Sequence, residues 1–229
     1  MIATIMGLDT LARESWDVLV VGAGPAGALA ARQLALHGDR VLLVDRKTFP
    51  RWKVCGACVN GHALSVLRIV GLSGVVQQLR AVPLRRFSLW NSGRELTLSL
   101  PTGVAVSRER FDTELVKAAV TAGACFSPAT TATVAGAEGP FRRVRLRGER
   151  QTAEVAARLV LVADGLGHPS LAAHAEFRMK RTRQTRIGCG TSLPQAPAGF
   201  NAGTIYMGVS RHGYVGMVRL EDGSLNVAA

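Results

Sequence analysis

The sequence predicts an α/β fold, a parallel βαβ core interleaved with a mostly antiparallel second sheet. Three observations lead there. Two short continuous apolar runs, Asp17–Val21 and Val41–Val44, flank an Ala- and Leu-rich stretch; glycines stand where the first run meets that stretch; and later segments alternate apolar and polar residues. Continuous runs suit parallel strands buried on both faces, whereas alternation suits half-buried antiparallel strands.

Asp17–Val21 reads as the first strand and Pro25–His37 as a helix: it lacks β-branched residues and stops at Gly38, a glycine C-cap. Ala26, Ala28 and Ala30 would let it lie close to the sheet, and Val41–Val44, closed by Asp45, completes the βαβ unit. Phe49–Asn60 is irregular, and Gly61–Leu79 is helical with a break at Gly71. Phe87–Leu100 alternates around Asn91-Ser92-Gly93 and reads as a hairpin. Ser107 caps a helix to Ala122 whose Phe111, Leu115 and Ala119 share one face. Thr130–Leu161 holds three short strands turning at Gly139-Pro140 and Gly148-Glu149, with Arg143, Arg145 and Arg147 on the wet face. Leu159–Ala163 is a further buried strand ending at Asp164-Gly165; beyond residue 183 the chain is strand-like, with Gly208–Leu225 as a hairpin, and it stops inside an apparent strand.

With 229 residues, 48% hydrophobic and 19% charged, the chain is long enough for a sizeable core, and no run reaches the roughly 20 apolar residues of a membrane span. Met1–Trp16 has no basic, apolar and small-residue succession of a signal peptide, so the expected location is cytoplasmic. Net charge is +12, almost all from arginine, and the densest cluster (Arg178, Lys180, Arg181, Arg183, Arg186) has no interleaved aromatics for base stacking. No nucleic-acid partner is therefore expected; the charge suits attraction of anionic cofactors or peripheral contact with an anionic membrane. Cys55, Cys58, Cys125 and Cys189 are too few and too unevenly spaced for a disulfide framework.

Gly22-Ala23-Gly24-Pro25-Ala26-Gly27 is GxGxxG between strand and helix. Gly22 permits the tight turn, Gly24 lets backbone approach a pyrophosphate, Gly27 lets helix and strand pack, and the helix N-terminus offers free N–H groups to phosphate. Asp45 stands at the spacing of the acid that accepts from the adenosine ribose, and an acid there disfavours a 2′-phosphate. Arg46 has two readings, against the adenine or solvated. This is a Rossmann-type dinucleotide site. No metal site is expected: Cys55 and Cys58 supply only two neighbouring ligands, with His62 alone beside them. The five histidines are unclustered, and no nucleophile pattern is present.

Asp17–Asp45 with its GAGPAG loop resembles the first βαβ of FAD-dependent oxidoreductases of the p-hydroxybenzoate hydroxylase type of fold. Phe49-Pro50-Arg51-Trp52-Lys53-Val54-Cys55-Gly56 is similar to the loop before the flavin in geranylgeranyl reductases and halogenase-like relatives; Arg108–Leu115 resembles the Arg-x-x-Phe-Asp-x-x-Leu helix; and Val162-Ala163-Asp164-Gly165 resembles the Asp-Gly motif. The resemblance implies FAD as cofactor and NAD(P)H as electron donor. It places Arg108, or Arg110 in its stead, toward the pyrophosphate, Asp164 and Gly165 on the flavin, and Lys53, Cys55 and Gly56 beside it, with Lys53 and Cys55 as the catalytic candidates. The later Gly-Asp segment of the family has no counterpart after Gly190, so the chain is expected to be a fragment.

The expected organisation is an FAD-binding domain of Rossmann type (1–82 and 103–175) interleaved with a mostly antiparallel substrate domain (hairpin 83–102, and 176–229). The expected function is NAD(P)H-driven reduction of a lipophilic, prenyl-type alkene; hydroxylation of an aromatic or polyketide-like substrate is the second reading, and a nucleotide-binding protein without turnover the third.

Overall fold

The structure, a computed structural model, describes residues 7–177, 179–180, 182–183 and 185–229. Arg178 and Arg181 of the arginine cluster, and Met1–Met6, lie outside the described residues. In chain order the elements are α1 (Leu8–Arg13), β1 (Trp16–Val21), α2 (Pro25–His37), β2 (Val41–Val44), β3 (Cys58–Val59), α3 (Gly61–Ile69), α4 (Gly74–Gln78), β4 (Val82–Pro83), β5 (Arg86–Asn91), β6 (Arg94–Ser99), β7 (Val104–Ala105) and α5 (Arg108–Thr121). Then follow β8 (Cys125–Ser127), β9 (Thr131–Glu138), β10 (Phe141–Arg147), β11 (Thr152–Val162), β12 (Gly190–Leu193), β13 (Thr204–Ser210), β14 (Gly213–Arg219) and β15 (Leu225–Ala228).

Two compact units share the chain, residues 1–51 with 112–183, and 52–111 with 184–229. Sequence reading put the divisions at 82/83, 102/103 and 175/176. In the structure the chain passes to the second unit at Trp52: the end of Phe49–Asn60 forms β3, which pairs with β7, and β7 with β4, so Trp52–Asn60 and α3 belong with that unit while Phe49–Arg51 stay with the first.

The first unit is built on one sheet in the order β8-β2-β1-β11-β10-β9. β8, β2, β1 and β11 run parallel, and β10 and β9 continue the sheet antiparallel. The continuous apolar runs explain the parallel half: Leu19, Val20, Leu42, Leu43 and Val44 are fully buried. Sequence reading separated a third short strand from a buried strand at Leu159–Ala163; they are one strand, β11. Its alternating first half pairs with β10 and its apolar second half with β1, so the change of pattern marks a change of partner rather than a break. Val144 and Leu146 are buried while Arg145 and Arg147 face solvent, as the alternation requires. α1, not anticipated from sequence, packs Leu8 and Leu11 into the core formed with Trp16, Leu146 and Val155, and the Trp16 indole donates to Leu11 O at 3.0 Å.

The second unit carries a six-stranded sheet, β12-β15-β14-β13-β5-β6, antiparallel except for the β13/β5 pair. The expected hairpin is β5/β6, turning through Ser92 and Gly93, both at positive φ (48° and 79°), the pairing of signs that a two-residue hairpin turn needs. The strand at the end of the chain, β15, lies inside the sheet between β12 and β14. The helical stretch from Gly61 breaks at Gly71 as expected, into α3, capped by Asn60 accepting from Ala63 N at 2.9 Å, and α4.

Candidate dinucleotide site

Pairing of β1 with β2 on one side and β11 on the other brings three chain turns to one sheet edge: the glycine loop, Asp45 and Asp164. Ligands of open parallel sheets bind at the carboxyl ends of strands where the order reverses, and β1 is that point here. Backbone bonds set the loop's start: Gly22 N donates to Val44 O and Ala163 N to Val21 O, both at 2.7 Å.

The three glycines have three different surroundings. Gly22 sits at φ +97°, and a Cβ there would lie 2.5 Å from Ala163 O. A Cβ on Gly27 would lie 1.8 Å from Gly22 O, so only glycine allows α2 to rise this close to the loop. At Gly24 the nearest group to such a Cβ is the Arg51 guanidinium, 3.7 Å away; what keeps this position bare is room for an approaching ligand, not the fold. Pro25 opens α2, and no side chain caps the helix, so its first N–H groups are directed to the loop.

Asp45 is buried, and both carboxylate oxygens already accept a backbone donor: Oδ2 from Ala23 N at 2.8 Å and Oδ1 from Lys47 N at 2.9 Å. It therefore anchors the glycine loop to the end of β2, and each oxygen keeps a lone pair for a ribose hydroxyl. Arg46 is exposed.

Arg51, given no role from sequence, is the cation beside this loop. Its Nη2 lies 3.2 Å from Asp112 Oδ2, its Nε 3.8 Å from Asp45 Oδ2, and its guanidinium stacks over the Phe49 ring at 4.8 Å. Both the arginine (11% exposed side chain) and Asp112 (0%) are withdrawn from water. Phe-Pro-Arg before the Lys-x-Cys-Gly element and Phe-Asp in the α5 motif were the available signals; that they meet could not be read from either.

Asp164 ends β11. Its Oδ2 accepts from Ser170 N at 2.9 Å, while Oδ1 is buried without a hydrogen-bond donor, with His168 Nδ1 at 3.7 Å. A buried carboxylate oxygen left without a donor is costly unless a ligand supplies one. Gly165 takes φ +87° and turns the chain away from the sheet edge.

In the second unit, Lys53 and Arg108 line one cavity of about 330 Å³ with Trp52, Ser107, Asp222 and Asn226. Cys55 is half-buried, and its carbonyl accepts from Asn226 Nδ2 at 2.8 Å, which ties the Lys53-Val54-Cys55-Gly56 element to β15. Gly56 faces open space. Arg110 pairs with the buried Glu221 at 3.5 Å. The same Glu221 accepts from Ser107 N (3.0 Å) and Ser107 Oγ (2.7 Å), so the start of α5 is held by a residue of the β14–β15 turn as well as by its own Ser107. Cys58 donates to Gly56 O at 3.1 Å; although the residue as a whole is exposed, burial around its sulfur and the neighbouring Cys55 push the thiol up to about 11, so it stays protonated near neutrality. Cys55 and Cys58 are free thiols, and no group of three metal-ligating side chains occurs among the described residues.

Comparison with known proteins agrees with this geometry. The sequence profile of a family described as an FAD binding domain matches residues 15–212. A menaquinone reductase of Mycobacterium tuberculosis is 35% identical over 163 residues, covering 68% of this chain and 39% of the relative. Digeranylgeranylglycerophospholipid reductase 2 of Methanosphaera stadtmanae is 32% identical over 155 residues, 65% of this chain and 39% of that protein. The chain thus spans about two fifths of the length of these curated relatives. Among solved structures, p-nitrophenol 4-monooxygenase of Pseudomonas putida superposes with a TM-score of 0.73 over 94% of this chain and 57% of that one at 15% identity, a likeness of fold.

Proposed function

Because this chain belongs to the family of FAD binding domains and carries the p-hydroxybenzoate hydroxylase type of fold, we propose that it is the FAD-binding part of an FAD-dependent oxidoreductase reduced by NAD(P)H. The observation that carries the proposal is the donor-less, buried Asp164 Oδ1 on the same sheet edge as the uncapped α2 N-terminus and the bare face of Gly24. Those groups are complementary to a ligand that offers hydroxyl donors at one place and phosphate oxygens at another.

In this reading the backbone N–H groups at Gly24 and the start of α2 hold the pyrophosphate, Asp45 accepts from the ribose, and Asp164 accepts a hydrogen bond from the flavin half. FAD supplies the electron transfer when bound, so the protein's part is to bind, orient and exclude water. Lys53 and Arg108, at their shared cavity, bring positive charge to the second unit, where the substrate would be met.

Two reactions remain candidates. Oxygen-dependent modification of an aromatic ring keeps company with the monooxygenase among the structural neighbours, and alkene reduction in a lipophilic chain with the curated reductases. A lipophilic small molecule is the substrate class in the second case. The test starts from the spectrum of the purified protein reconstituted with FAD and its bleaching by NADH or NADPH without oxygen. Bleaching followed by labelled oxygen in an aromatic product supports the first reaction; hydrogen transfer to a prenyl alkene under anaerobic turnover supports the second. A protein that takes up no FAD under any reconstitution would sink the proposal.

A further inference from the structure

We infer that Arg51 is the diphosphate-facing cation of this site, preset by two buried carboxylates before any ligand arrives. The inference rests on the FAD reading and adds a residue to it. A guanidinium has five N–H donors in a fixed fork. Here Asp112 Oδ2 forms an ion pair with Nη2 at 3.2 Å, and Asp45 stands at 3.8 Å from Nε, beyond hydrogen-bond distance. The Arg51 side chain keeps 11% exposure, so N–H donors not turned to these acids are open to solvent and to an arriving anion. Three contacts fix where they point. Asp112, on α5, holds one edge; the Phe49 ring, itself braced edge-on by Phe126 at 5.6 Å, lies against one face; and Gly24 turns its bare side toward Nη2, which would lie 3.7 Å from a Cβ placed there. Gly24 is where the backbone opens to a pyrophosphate, so the arginine and the α2 N-terminus would meet the same anion, a diphosphate held in a bidentate fork.

The acids are part of the device. Asp45 and Asp112 would be repelled by a diphosphate, and Arg51 stands beside both. Asp112 acts through Arg51 as a positioning residue, which gives the Phe-Asp of the α5 motif a physical role.

The test titrates FAD, ADP and adenosine into the full chain by calorimetry, in wild type, Arg51→Met, and Arg51→Met with Asp112→Asn. The double variant relieves the buried charge that the single one strands and keeps the test valid if Arg51→Met folds poorly. Loss of charge-assisted bonds to phosphate predicts ADP and FAD affinities about 10- to 100-fold weaker in both variants. Adenosine, which has no phosphate, should change by less than about threefold. ADP binding indifferent to Arg51, or adenosine weakened by the same factor as ADP, overturns the assignment and leaves Arg51 a mere support of the loop. Wild-type protein that binds ADP in an Arg51-dependent way but takes no FAD would refute the flavin reading and keep this one; FAD uptake that ignores Arg51 would do the reverse.

Discussion

Substituting alanine at two glycines of one loop separates what the fold requires from what the ligand requires. At Gly27 the new Cβ would fall 1.8 Å from Gly22 O and 3.2 Å from the Ala163 Cβ, and the first of these is backbone that cannot swing aside. Overpacking of this kind costs about 1–3 kcal/mol, and a backbone clash belongs at the upper end. Alanine's better helix propensity inside α2 returns about 1 kcal/mol, leaving a net loss of about 2 kcal/mol. For a chain of this size that lowers Tm by about 4–8 °C. At Gly24, with φ −71° and ψ 179°, alanine is sterically allowed, and its Cβ meets only Arg51 Nη2 at 3.7 Å, an ordinary contact. Gly24→Ala should leave the ligand-free protein within about 0.5 kcal/mol of wild type while weakening FAD, because the methyl occupies the approach to the pyrophosphate. Thermal denaturation of the FAD-free proteins, followed by FAD titration, reads both effects. Equal stability of Gly27→Ala and wild type, or equal destabilisation by the two substitutions, would refute the reasoning.

Other consequences are open to the same kind of test. Asp45→Ala leaves Ala23 N and Lys47 N without their acceptor, so denaturation should show a loss of about 2–4 kcal/mol before any ligand is added; unchanged ligand-free stability would reduce Asp45 to a ribose acceptor alone. Burial works against ionisation of Asp222, but the Ser224 hydroxyl (2.6 Å) and N–H (2.9 Å) outweigh it and hold the carboxyl below its usual value. Its contribution is present above the ordinary carboxylate pKa and disappears as pH falls through the lowered one, so Asp222→Asn should lower stability in the neutral region, change it little in acid, and thereby flatten the acid limb of a stability-against-pH curve. Burial and the nearby Glu14 push Cys125 up to about 11, so iodoacetamide at pH 8 should label it far more slowly than the exposed Cys189, with its rate still climbing above pH 9; equal rates, followed by mass spectrometry, would contradict that.

The parts of the site that were legible in the sequence are those whose geometry is local. GxGxxG constrains residues a few positions apart, and its three glycines serve three separate spatial needs that can be named from spacing alone. The β5/β6 hairpin was legible for the same reason, since Ser92-Gly93 carries its own turn geometry. Periodicity likewise put Val144 and Leu146 inside and Arg145 and Arg147 outside. Where the pattern depends on partners it misled: β11 looked like two strands because it serves two neighbours of opposite direction, and Phe49–Asn60 looked irregular because a two-residue strand such as β3 leaves no period to read.

By itself, then, the sequence determined the α/β class and the Rossmann-type core, because each follows from short-range pattern and backbone sterics, while the FAD-binding family was legible through the resemblance of its motifs. Only the tertiary structure decided which charges meet. Arg51 and Asp112 belong to different motifs and pair across the first unit, Glu221 reaches from the β14–β15 turn to hold Ser107, and Asp45 Oδ2 accepts from Ala23 N of the glycine loop. Such pairings come from the folding together of segments far apart in the chain, where burial makes each charge depend on its partner, and no local spacing encodes them.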